Sequence, residues 1–144
     1  MKRIIILIML LMPLTGMAHE IPIKQLFEKY LNKPGFTSVE LSKEILQTNG
    51  VAGIDSMIAL STEDGSAIQT FTAEVTQHTA ELKRIMSMVS DGKNVSIHSK
   101  SDSSGKLNYL VMFSHSDSSA VLIMLIGPDI KIEKAMSLIG KGKR

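Results

Sequence analysis

The chain has no cysteine, which removes disulfides, thiolate metal sites and any lipid attachment through a cysteine sulfur. Stability then has to come from packing. Tryptophan is also missing, and only four phenylalanines and two tyrosines are present. Leu, Ile, Val and Met must therefore fill the core, and a broad aromatic platform for stacking sugar rings is excluded. Excess charge is lacking too, with sixteen basic residues against fourteen acidic. Without several cations gathered on one face, nucleic-acid binding is not expected.

Long hydrophobic runs are nearly absent, and the exception lies at the start. Lys2 and Arg3 precede the unbroken apolar run "IIILIMLLM", Ile4 to Met12. Pro13 ends it, and "GMA", Gly16 to Ala18, supplies the small residues that a signal peptidase reads. Spanning a bilayer takes about 20 apolar residues, and this run is about half as long. The pattern predicts a signal peptide over residues 1–18 and a mature chain from His19 to Arg144. Cleavage removes Lys2 and Arg3 but no acid, so the formal charge falls from +2 to zero. The expected location is periplasmic or secreted, without a lipid anchor and without stable membrane insertion after cleavage. A mature chain of this size forms one domain that buries about two-thirds of its unfolded surface.

Periodicity gives the element order. Ile23, Leu26, Phe27 and Tyr30 share one helical stripe before the stop "KPG". "FTSVELS" alternates as a strand, Ser42 stands where a cap would open a short helix over "KEILQT", and "IDSMIALST" is a second strand. A helix over about 66–82 carries Ile68, Phe71, Val75, His78 and Leu82 on one face. Asp91-Gly92 between alternating runs predicts a hairpin that sets Met88 opposite Val95 and Met86 opposite Ile97. A tight turn in "SDSSG" then sets Ile97 near Tyr109, Val95 near Val111 and His98 near Asn108. "VLIMLI" is apolar on both sides and reads as a central strand. A last helix would turn Ile132, Ala135, Met136 and Ile139 inward. The expected fold class is α+β, a single domain with a meandering antiparallel sheet and helices packed mainly on one face.

These segments in this order resemble an uncharacterised family of exported bacterial domains, domain of unknown function 4252. The likeness runs through "LFEKYLNKPGFTSVELSKEIL", "IDSMIALST", "IMSMVSDGKNVSIHSK" and "LVMFSHSDSSAVLIMLIGPDI". It covers nearly all of residues 21–132. The resemblance implies the fold, but no enzyme activity, cofactor or catalytic residue.

Residues able to do chemistry are few and scattered. His19, carrying the new amino terminus, has the nitrogen ligands that suit Cu(II), and His98 is a candidate second ligand. None of the four histidines stands at the spacing of a helical zinc pair. "SHSDSS", Ser114 to Ser119, crowds Ser, His and Asp into a turn, but no G-x-S-x-G elbow presents a nucleophile. Asp55, Glu63 and Asp64 match no calcium-loop spacing. "NVS", Asn94 to Ser96, fits a glycosylation triplet but carries little weight in a bacterium. What remains is surface: Leu110, Met112, Val121 and Ile123, with Ile85 and Leu125, form a candidate partner surface on the second sheet face. The expectation is a non-enzymatic protein-binding or cell-envelope accessory domain without a cofactor, its partner an envelope protein or a second copy. The alternative is a small-ligand or metal carrier dependent on His19 or His98.

Production with its own leader should yield an exported protein whose intact mass corresponds to His19–Arg144. An unprocessed chain held in the membrane fraction would overturn the signal-peptide reading.

Overall fold

A computed structural model describes residues 22–136. The expected signal peptide, His19, Ile139 and the basic tail lie outside these residues. Helix α1 (Pro22–Tyr30) leads to strand β1 (Phe36–Leu41), helix α2 (Lys43–Thr48), strand β2 (Ser56–Thr62) and helix α3 (Gly65–Thr79). Strands β3 (Lys83–Ser90), β4 (Lys93–Ser101), β5 (Leu107–His115) and β6 (Ala120–Ile126) follow as a meander. Residues 132–136 are helical. The single sheet has the order β1-β2-β6-β5-β4-β3, with every neighbouring pair antiparallel. The protein is thus α+β, as expected.

Helix α3 carries the chain from β2 across to the far edge, and the meander walks back until β6 fills the gap beside β2. This route fixes what each strand must be. β6 has a neighbour on both sides and protein over both faces, which is why "VLIMLI" is apolar throughout. Leu122 and Met124 enter the core under α1 and α3, whereas Ile123 and Leu125 enter a second core on the other face. Leu46 of α2, Ile54, Ile130 and Ala135 cover part of that second face.

The first core is organised around Phe71, which is fully buried on α3. Its ring centroid lies 4.9 Å from Tyr30, 5.0 Å from Phe36 and 5.8 Å from Phe113, each at a steep edge-on angle. A chain with so few aromatic rings spends most of them here. At the rim the Tyr30 hydroxyl donates to the Glu74 carboxylate, and Lys29 Nζ lies 2.7 Å from the same carboxylate, joining α1 to α3. Burial first, and then the Glu74 hydrogen bond and charge, push the Tyr30 hydroxyl well above its ordinary range. Burial alone would raise Glu74, but the hydrogen bonds from Lys29 and Tyr30 outweigh it and hold the carboxyl below its ordinary value.

Several local expectations hold, and several need correction. Asp91 (φ 53°) and Gly92 (φ 77°) form the left-handed two-residue turn, and Met88–Val95 and Met86–Ile97 pair as predicted. The next hairpin does not follow its prediction: Ile97 lies opposite Met112, Val95 opposite Ser114 and His98 opposite Val111. The loop, not a tight turn, decides this register. The Asp102 carboxylate accepts from the Ser104 and Lys106 amides at 2.9 and 3.0 Å, and a bulge follows Lys100. Because the shift is odd, it also changes which face of β5 joins Ile97.

Helix α3 stops at Thr79, short of Leu82, with the Thr79 hydroxyl turned back to the Val75 carbonyl at 2.9 Å. Ser42 occupies the N-cap position of α2, yet its side chain makes no capping hydrogen bond. Of the inward set expected in the last helix, Ala135 is buried, while Ile132 and Met136 are exposed.

Replacing Phe71 with Ala should lower stability by about 3–5 kcal/mol, measured by urea unfolding. Gly127→Ala should be at least as damaging, since the added methyl would meet the Gly53 carbonyl and lie 2.8 Å from Ile54 Cα. Wild-type unfolding midpoints for either variant would refute this packing.

Candidate interaction surface at the β3 edge

Cross-strand pairing arranges the second sheet face in rows. One row runs Val39, Ala59, Ile123, Met112, Ile97, Met86 and crosses all six strands without a polar residue. Its centre is closed: Ile97, Met112 and Ile123 are 2%, 7% and 8% exposed. Its ends are open, at Val39 on one sheet edge and Met86 on the other. The next row is mixed: it runs from Ser61 through Val121, Ser114 and Val95 to Met88, which is 47% exposed.

The expected partner surface is therefore misplaced. Leu110, Met112 and Ile123 are core residues, and Val121 is half-buried. The physical reason is that β5 and β6 occupy the middle of the sheet, where two-sided apolar strands are covered. Open apolar surface lies instead on β3, where every residue is exposed and, among the described residues, the outer backbone edge has no strand partner. Ile85, Met86, Met88 and Val89 supply the side chains. The sequence held this signal in "IMSMVS", which carries no charge over six residues, but strand order was needed to place it at an edge.

The two edges of the sheet are unlike. β1 is shorter, follows Pro34 and Gly35, and carries Glu40, all features that discourage edge pairing. β3 has Lys83 and Arg84 at its start and a bulge at Ile85, but from there to Ser90 it is neutral. Such a strand is a template for another strand.

The histidines do not assemble. His98 and His115 line one cleft of about 410 Å³ with Arg84, Ser96, Thr79 and Phe113. They are nevertheless far apart, because His98 pairs with Val111 and His115 lies four residues further along β5, about 13 Å on. The His115 ring stacks on Phe113 with centroids 4.9 Å apart. His98 Nδ1 is buried and makes no hydrogen bond among the described residues. His78 donates from Nδ1 to the Glu74 carbonyl at 2.7 Å, as expected of a residue at the core edge. Among the described residues no three His, Asp or Glu side chains converge as metal ligands. Asp55 and the pair Glu63 and Asp64 lie at opposite ends of β2, and Asp64 caps α3 by accepting from the Ser66 amide at 3.0 Å. Ser116 and Ser119 close the β5–β6 hairpin at 2.8 Å, so "SHSDSS" is turn chemistry.

With this geometry in view, the family model described as Domain of unknown function (DUF4252) matches residues 29–138. The chain belongs to that family. No curated protein and no solved structure matches it. Among the described residues, no helix is long and apolar enough to cross a membrane.

Burial holds the His98 and His115 imidazoles below their ordinary value of 6.5, and at His98 the Arg84 charge adds to it. Such groups give stability that is complete above the unfolded value and is lost as pH falls below it. Acidification from about pH 7.5 to about pH 5 should lower the melting temperature, and His98→Gln should remove part of that loss. Equal losses in the two proteins would show that His98 does not titrate as described.

Proposed function

We propose that the chain is an exported, non-enzymatic domain of the bacterial cell envelope that works by binding protein, with the outer edge of β3 as its contact surface. The observation that carries this reading is an eight-residue edge strand exposed along its whole length. Its free backbone groups offer hydrogen bonds to an added strand, and alternate side chains offer contacts on each face. Met86 would continue the apolar row of the second face into such a partner, with Met88 beside it on the same face. The first face of this hairpin, with Arg84, Ser87, Asn94 and Ser96, is polar apart from Val89, which lies on it beside Asn94. Export follows from the leader pattern in residues 1–18, and the absence of a catalytic reading follows from the scattered Ser, His and Asp residues.

A small-ligand carrier is the competing reading, and it has one specific observation behind it. The unpaired His98 Nδ1 beside Arg84 would suit a small polar ligand.

The distinguishing experiment is affinity capture from envelope extracts with wild type, Met88→Lys and Val89→Lys. Both side chains are exposed, so the variants should melt within a few degrees of wild type. Protein binding at β3 requires a stoichiometric envelope partner with wild type and its loss with both variants. Identical capture by all three, or a ligand lost with His98→Gln, would remove β3 from the function.

A further inference from the structure

With no cysteine in the chain, methionine sulfur is the softest nucleophile it presents to an oxidant. Of its ten methionines, four fall in residues 1–18 and six beyond them. The fold sorts those six into two classes. Met57, Met112 and Met124 are buried in the two cores, whereas Met86, Met88 and Met136 are exposed. Met86 and Met88 stand two residues apart on one face of β3, about 7 Å from Cα to Cα. We propose that this pair is a modification site, at which a peroxide converts both thioethers to sulfoxides while the core methionines are spared. The inference goes beyond the binding reading and needs only the exposure of the two side chains.

The step transfers one oxygen atom. The thioether sulfur attacks one peroxide oxygen, and an S–O bond forms as the O–O bond breaks. The departing hydroxide takes the proton of the transferred oxygen and leaves as water. Sulfur loses two electrons and the peroxide gains them. Attack needs an open approach to a sulfur lone pair, so the rate follows exposure. At Met86 and Met88 that approach is open, because among the described residues β3 has a neighbouring strand, with Ile97 and Val95 opposite, on one side only. A core methionine reacts only when the packing around it opens, which costs free energy and slows the step.

The product separates the two classes as well. A sulfoxide oxygen is a strong acceptor, and burying one at Met112 or Met124 without a donor would destabilise the fold. At Met86 and Met88 the oxygen is hydrated instead, so the fold tolerates the modification. What changes is the surface. Ile85 to Ser90 carries no charge, and Met86 and Met88 supply its apolar surface beside Ile97 and Val95. Sulfoxides there turn the exposed end of the row from Val39 to Met86 polar. The change is reversible, since methionine sulfoxide reductases restore the thioether. Met136 shares the exposure but lies on a different element, the helical residues 132–136.

The test treats the exported chain with hydrogen peroxide and follows oxygen uptake at each methionine by peptide mass spectrometry. Met86 and Met88 should gain one oxygen each about tenfold faster than Met57, Met112 and Met124, with Met136 alongside the pair. Over that interval the melting temperature should stay within a few degrees, and retention on a hydrophobic-interaction column should fall. Met136→Leu should keep most of that fall, and adding Met86→Leu and Met88→Leu should abolish it. Treatment with sulfoxide reductases should restore the original mass and retention. Core methionines oxidised as fast as the pair, or unfolding that accompanies the first oxygens taken up, would overturn the inference. So would a fall in retention that persists in the triple variant. Wild-type mapping alone decides the order of oxidation, even where a substitution disturbs folding.

Discussion

The fold depends on strand β6 being buried from both sides. Its four central residues alternate between two cores, Leu122 and Met124 under α1 and α3, Ile123 and Leu125 under α2 and residues 130–135. A strand of that kind cannot lie at an edge or face water, so the chain has to bring a neighbour to each side of it. β5 arrives directly through the Ser116–Ser119 turn, while β2 must already be in place from earlier in the chain. That requirement explains the excursion of α3, which moves the meander to the far edge so that it can return to β2. Gly53 and Gly127 permit the close backbone crossing that ends β6, since a side chain at either would meet the other segment.

The same arrangement creates an asymmetry. Helices α1 and α3 cover β2, β6 and β5, and the polar residues of β4 and β3 lie beyond them on that face. On the opposite face the apolar row from Val39 to Met86 continues to the β3 edge, past the point where it is covered. Among the described residues, β3 therefore combines an unpaired backbone edge with exposed methionines. Natural sheets usually suppress such edges with charge, proline or a short strand. Among the described residues, the bulge at Ile85 and the cations before it are the restraints this edge carries.

Legibility in the sequence followed the range of the interaction. The α1 stripe Ile23, Leu26, Phe27 and Tyr30 is buried as its spacing implied, because one element presents one face to the core. The Asp91-Gly92 hairpin was legible to the residue, since two positive-φ positions fix both the turn and its register. The β4–β5 register was not, because hydrogen bonds to Asp102 and a bulge after Lys100 set it, and neither has a spacing signature. That error exchanged the faces of β5 and placed Leu110, Met112 and Ile123 on the surface instead of in the core.

By itself the sequence determined the class of the fold, the order of its elements and the apolar character of β6, because periodicity and turn chemistry are local properties of the chain. It also determined what chemistry is missing, since a thiol or tryptophan absent from the chain cannot be supplied by folding. Only the tertiary structure decided which strands are central and which are edges. Exposure of an apolar strand depends on its neighbours, and β6 and β3 acquire theirs from residues far away in the chain. The separation of His98 from His115 and the exposure of Met86 and Met88 were decided in the same way.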